Sequence, residues 1–111
     1  MKKILTIPGF GTRTLHFNSR LARILGGPGN LNNCVSPNAT DIYISRGWVT
    51  AMGLAHEWGH GEDAKRLGGW YIPWVIWGYI STLSHDGSPA EIRADAFMMA
   101  HYREFPQWVQ P

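Results

Sequence analysis

Two histidines four residues apart, His56 and His60, constrain this 111-residue chain more than any other feature of its sequence. On an α-helix, positions i and i+4 lie one above the other, so both imidazoles can reach one ion. Glu57 follows His56 directly and points about 100° away from it, toward the open side of that ion. The H-E-x-x-H spacing therefore predicts a helix with a zinc site, in which two histidines are ligands and the glutamate is a general base.

The predicted zinc helix runs from Val49 or Thr50 to Leu67, and Gly68-Gly69 terminates it. Three glycines lie inside it, although each weakens a helix by up to about 1 kcal/mol relative to alanine. Their presence indicates close packing of backbone around the site. Gly59, between the glutamate and the second histidine, is the best example.

A second helix is predicted to begin at Ser88, with Pro89 in its first turn and Glu91 at its third position. S-x-x-E is a capping box, so Glu91 can be explained without a metal. Capping does not explain Asp95, which lies one turn further on and has poor helix propensity. In a metal site, its carboxylate could orient a zinc-bound imidazole. We expect Glu91 to be the third ligand, with His85 in the preceding turn as the alternative.

H-E-x-x-H at residues 56–60 and E-x-x-A-D at residues 91–95 resemble the motifs of the gluzincin zinc metallopeptidases. The resemblance covers residues 40–102, and the length and order of the chain resemble the minigluzincins, single-domain soluble relatives of membrane-bound zinc endopeptidases. It implies a zincin-like fold and peptide-bond hydrolysis, with Asp95 hydrogen-bonded to a ligand histidine. It also suggests that residues 105–111 lie in the cleft as a self-inhibitor; the alternative is a tail packed on the core.

The expected fold class is α+β, in one domain that spans residues 1–111. A short N-terminal sheet lies above the active-site helix, and a helical lower half carries the glutamate helix. The sheet is predicted to include a strand at Lys3–Ile7, ended by Pro8-Gly9, and a loop follows at Gly9–Thr14. A helix from Asn18 or Ser19 to Leu25 comes next.

Residues 41–48 alternate in polarity and predict another strand. As an edge strand beside the zinc helix, it could align an extended peptide by β-augmentation. The residues predicted to do so are Ile42, Tyr43, Ile44 and Ser45.

Residues 70–82 predict a helix that begins near Pro73, with Trp74, Trp77 and Ile80 as a core stripe. A dedicated binding surface is the alternative. A further hypothesis is attachment to a membrane surface through Trp70, Trp74 and Trp77, but the apolar run is shorter than the ~20 residues that span a bilayer.

The charge and the cysteine content indicate which partners and which cellular compartment to expect. The net charge is +2 without a basic stripe, which argues against nucleic acid. Cys34 is the single cysteine, so no internal disulfide can form and a reducing, cytoplasmic compartment is expected. The expected partner is a peptide or protein substrate.

The function expected from these features is that of a zinc metalloendopeptidase, active or latent. Tyr71 and His85, in loops that flank the cleft, are the candidates to stabilise the oxyanion. The alternative function is a catalytically idle or self-inhibited zinc-binding module that captures a peptide or protein partner.

Overall fold

The computed structural model describes residues 1–20, 22, 34–35, 40–82 and 87–111, and for residues 34, 35 and 79 it describes the backbone alone. The chain begins with a β-hairpin. Strands β1 (Lys2–Ile7) and β2 (Gly11–His16) are antiparallel. The Phe10 N–H donates to the Ile7 carbonyl at 2.9 Å. The predicted first strand is therefore confirmed.

The predicted loop at Gly9–Thr14 is wrong, because β2 begins at Gly11. Arg13 and Leu15 occupy the buried side of this strand, whereas Thr12 is exposed. A charged residue on the buried side hides the alternation of apolar and polar residues that would have predicted the strand.

The sheet has four strands in the order β1-β2-β4-β3, where β3 is Cys34–Val35 and β4 is Asp41–Tyr43. β4 runs parallel to β2 and antiparallel to β3. The strand predicted at residues 41–48 thus ends at Tyr43, and its predicted edge position is wrong, since β3 lies at the edge. A two-residue strand in a segment rich in Gly, Asn and Pro has no periodicity to reveal it.

Strand β5 (Val49–Thr50) leads into α1 (Ala51–Leu67), where the Thr50 hydroxyl accepts a hydrogen bond from the Gly53 N–H. The helix ends at Leu67, as predicted, and Gly68 is its C-cap, with an N–H that donates to the Ala64 carbonyl. A 3-10 turn, Gly68–Trp70, connects α1 to the next helix.

The next two helices are α2 (Tyr71–Thr82) and α3 (Pro89–His101). Ser88 occupies the N-cap position of α3 but makes no side-chain capping bond, so the Ser88 half of the predicted capping box is not formed. The predicted core stripe of α2 is also wrong: Trp77 and Ile80 are exposed, and Trp74 packs near Ala64. Residues at i, i+3 and i+6 drift around a helix by about 60° per step, so they do not share one face.

The main core lies between the sheet and α1. Its fully buried members include Leu15 and Ile42 from the sheet and Leu54 and Trp58 from α1. α3 contributes partly buried Phe97. This packing places one side of α1 against the sheet and leaves another for α3, so α1 becomes the central element of an α+β fold.

The C-terminal segment packs on this core. After a 3-10 turn at Tyr102–Glu104, strand β6 (Trp108–Val109) pairs antiparallel with β5. Phe105 and Val109 are buried in the main core, so the packed tail is the arrangement that is observed. No helix among the described residues is long and apolar enough to cross a bilayer.

Ser19 begins the next predicted helix, and its hydroxyl accepts a hydrogen bond from the Ala22 N–H. Most of that helix, to Leu25, lies outside the described residues.

Candidate metal centre

Two imidazoles and one carboxylate converge between α1 and α3. Nε2 of His56 lies 2.9 Å from Oε2 of Glu91, and Nε2 of His60 lies 3.0 Å from Oε1 of the same carboxylate. The two rings are 4.9 Å apart and nearly perpendicular. The residues expected to share one ion from their spacing in sequence are therefore brought together, although Glu91 belongs to a different helix.

Three side chains of α1 could hold a metal ion, and the carboxylate among them is Glu57, whereas the predicted third ligand is Glu91. Ligand atoms of His56, Glu57 and His60 lie within 4.8 Å of one another and could hold such an ion. Nitrogen and oxygen ligands at about 2.0–2.2 Å in a tetrahedral site lie about 3.3–3.5 Å apart. The distances of 2.9 and 3.0 Å from Glu91 to the imidazoles are a few tenths of an ångström shorter, as expected where hydrogen bonds stand in for metal bonds.

The other nitrogens of the two rings differ in their surroundings. Nδ1 of His56 lies 2.9 Å from Oδ1 of Asp95, the position expected for a carboxylate that orients a ligand imidazole. Nδ1 of His60 is buried and has no hydrogen-bond partner among the described residues. Asp95 therefore contacts His56 as predicted, and its role in orienting a ligand imidazole stays a prediction.

The charges around His56 affect its protonation. Burial lowers the pKa of His56, but the hydrogen bond to Glu91 and the negative charges of Glu57, Glu91 and Asp95 outweigh it, so the pKa is raised above 6.5. Because both ring nitrogens face carboxylates, the protonated imidazole can donate two hydrogen bonds. Protons and a metal ion therefore compete for this ring.

This competition predicts opposite pH dependences for the two forms of the protein. In chelator-treated protein, the stability contributed by protonated His56 is fully present below pH 6.5 and is lost as pH rises through the raised pKa. In the metal-loaded protein, stability instead rises with pH, because His56 must be neutral to bind. Urea denaturation at several pH values on both sides of 6.5 would give the free energy of unfolding against pH for the chelator-treated and the metal-loaded protein.

The control for this prediction is His101→Gln, which removes a surface histidine paired with Glu104. It should leave both slopes unchanged, whereas His56→Gln should flatten the slope of the chelator-treated protein. Parallel slopes with and without metal would contradict the prediction.

Glu57 is buried at 6% exposure beside the two histidines. It follows His56 on α1, and its carboxylate is close enough to add to the charge that raises the pKa of His56. Glu91 already bridges both Nε2 atoms. Glu57 therefore adds a third carboxylate, after Glu91 and Asp95, to the surroundings of His56.

A partly buried ion pair connects α3 to α1. Arg93 donates from Nε to both carboxylate oxygens of Asp63, at 2.9 and 3.0 Å, and Asp63 is 4% exposed. Asp63 lies three residues after His60, and Arg93 lies two residues after Glu91. The pair therefore sets the rotation of α3 that presents Glu91 to the imidazoles. Sequence reasoning missed this role, because nothing local to Arg93 indicates its partner.

Arg13 holds the other side of α1. Its Nη1 donates to the Trp58 carbonyl and its Nη2 to Glu62, each at 2.7 Å, and its guanidinium lies over the Trp58 ring. Burial lowers the pKa of Arg13, which Glu62 partly offsets. A Cβ at Gly61 would overlap the guanidinium, so a larger residue there would displace Arg13 from these contacts. The contact anchors the helix between the two metal-site histidines.

Gly59 permits the close approach of the two site helices. A Cβ at this position would lie 2.9 Å from Cβ of Phe97 on α3, closer than real atoms come. The expectation that Gly59 marks close packing is therefore confirmed.

We predict that Gly59→Ala destabilises the protein by about 1–3 kcal/mol, because overpacking outweighs the better helix propensity of alanine. Thermal unfolding would measure the change. Gly69→Ala is the matched control, since a Cβ at Gly69 meets nothing within 4 Å. A Gly59→Ala protein as stable as the Gly69→Ala protein would contradict the close packing.

The two residues predicted to stabilise the oxyanion are Tyr71 and His85. Tyr71 is the first residue of α2, so its predicted position in a loop is wrong, and it is buried against Ala64, one turn after His60 on α1. Its role in stabilising the oxyanion stays a prediction. His85 lies outside the described residues.

The predicted substrate strand is not accessible as expected. Ile42, Ile44 and Ser45 are almost completely buried, and Tyr43 pairs with Cys34 of β3 and stacks on His16. Peptide alignment by these residues as an exposed edge is therefore not supported.

Comparison with protein-family models, curated proteins and solved structures gave no match to this chain.

Proposed function

We propose that the chain is a zinc-dependent metallopeptidase of the gluzincin type, with His56, His60 and Glu91 as zinc ligands. The observation that carries the proposal is the meeting of one carboxylate with two Nε2 atoms, at 2.9 and 3.0 Å. Two neutral imidazoles and one carboxylate favour Zn²⁺ and leave its fourth position open, which is typical of catalytic sites. The Asp95 contact with His56 further supports a metal-binding histidine.

When bound, zinc supplies Lewis acidity that polarises a carbonyl and lowers the pKa of water. Glu57 would accept a proton from the attacking water as the water oxygen bonds to the scissile carbonyl carbon, and would pass that proton to the leaving nitrogen as the C–N bond breaks. Asp95 holds the ring of His56 in one orientation through Nδ1. The Arg93–Asp63 pair keeps Glu91 in place while substrate binds.

The experiment that tests the proposal combines metal analysis with cleavage of a generic unfolded protein. Purified chain should contain one equivalent of zinc and cleave the substrate, and a chelator should abolish both. A chain that contains zinc but leaves the substrate intact would instead favour the idle or self-inhibited binding module. A chain without affinity for zinc would contradict both hypotheses.

A further inference from the structure

Helix α2 presents an apolar face that the rest of the described chain does not cover. Tyr71, Trp74 and Val75 turn toward Ala64 of α1 and form a small second core. The opposite face exposes large apolar side chains, which are Ile72, Ile76, Trp77 and Ile80. Positions 72, 76 and 80 follow one another at i+4 spacing, so they form a continuous stripe. Trp70, which precedes the helix, is 74% exposed.

The exposed charges that directly precede α2 in the chain are positive. No charged residue occurs in α2 itself. The last turn of α1, directly before the connection to α2, carries Lys65 and Arg66, and both are exposed. Asp63, the nearest acidic residue on α1, is buried and contacts Arg93 at 2.9 Å and Arg66 at 3.5 Å. An apolar stripe beside exposed cations complements an anionic surface with an apolar interior.

The size of the face argues against a second copy of the chain as its partner. Twelve residues make a helix about 18 Å long and, with side chains, about 10–12 Å wide. One face of such a cylinder covers roughly 200 Å² in projection, whereas a stable interface buries about 800 Å² per partner. Binding to a bilayer instead scales with the apolar area that inserts and with the attraction to anionic lipids, so a face of this size supports reversible attachment.

We propose that the outer face of α2 docks on the surface of an anionic phospholipid bilayer. The helix lies in the plane of the membrane, with the isoleucines in the acyl boundary and the indoles of Trp70 and Trp77 at the headgroups, where tryptophan is enriched. Lys65 and Arg66 contact lipid phosphates. The inference is independent of the proposed hydrolysis, because none of these residues belongs to the metal centre.

The test is flotation of the intact, zinc-loaded chain with phosphatidylcholine vesicles, with and without phosphatidylserine. Wild-type chain should float with the phosphatidylserine vesicles, and added salt should weaken the binding. Ile76→Ser/Ile80→Ser should reduce binding by at least about tenfold. Lys65→Gln/Arg66→Gln should reduce it by about fivefold for each charge removed.

The matched control is Ile4→Ser/Ile92→Ser, which replaces two isoleucines of similar exposure outside α2. It should bind the vesicles as the wild type does. The proposal is wrong if the wild type does not float with phosphatidylserine vesicles. It is wrong as well if Ile4→Ser/Ile92→Ser loses as much binding as Ile76→Ser/Ile80→Ser. It is also wrong if the wild type sediments as a dimer that Ile76→Ser/Ile80→Ser dissociates, since the partner is then a second copy.

Discussion

Replacing Glu57 with glutamine is expected to abolish peptide hydrolysis while leaving the metal in place. The amide keeps the shape of the side chain but cannot accept a proton from water at neutral pH. General acid–base catalysis contributes about 10²–10⁴-fold, so the turnover of Glu57→Gln should fall by that factor or more. Cleavage of an unfolded protein at equal zinc occupancy would measure the loss.

The matched control for this prediction is Glu104→Gln, the same chemical change at an exposed residue that pairs with His101. It should retain wild-type turnover. If metal-loaded Glu57→Gln cleaves as fast as the wild type, Glu57 is not the general base. If it loses zinc together with activity, Glu57 is a ligand, as its proximity to the two imidazoles would also allow.

Replacing Glu91 with alanine is expected to remove the metal. Its carboxylate contacts both Nε2 atoms, so the change deletes the bridge between the histidines. The zinc dissociation constant should rise by more than the 10–100-fold typical of a residue that only orients a ligand. The metal-free protein should also be less stable by about 1–3 kcal/mol, because buried imidazole nitrogens lose their partners. A zinc titration by competition with a chromophoric chelator would measure the affinity.

Asp95→Asn provides the comparison within the same helix. It weakens the contact with Nδ1 of His56 but leaves every proposed ligand in place, so its effect should stay within the 10–100-fold range. Full zinc occupancy in Glu91→Ala would show that Glu91 acts only at the start of α3. The third ligand would then lie elsewhere, with His85 as the first candidate.

The site could be predicted from sequence because its donors come in two short-range patterns. His56 and His60 share a face of one helix, and Glu91 and Asp95 share a face of another. Each helix carries its own boundaries in sequence, Gly68 for the first and Pro89 for the second. Only the docking of one helix on the other had to be inferred from ligand chemistry.

Features that depend on long-range pairing could not be predicted in this way. Arg13 lies 45 residues before the carbonyl that it binds, and no local pattern joins them. The place of β4 inside the sheet depends on β3, which is too short to have a pattern. In α2 almost every residue is apolar, so periodicity allows several stripes, and only the contact of Tyr71 with Ala64 decides which side is buried.

The pairing of β5 with β6 has a consequence for how the protein folds. Thr50, the residue that caps α1, is matched with Trp108, and Trp108 stacks on Trp48 at 4.7 Å. The start of the histidine helix is therefore secured by residues that are synthesised long after it. Contacts between such distant segments form slowly, because a large loop must close first. A nascent chain that has not yet reached Trp108 would hold His56 and His60 on a helix with an unanchored start.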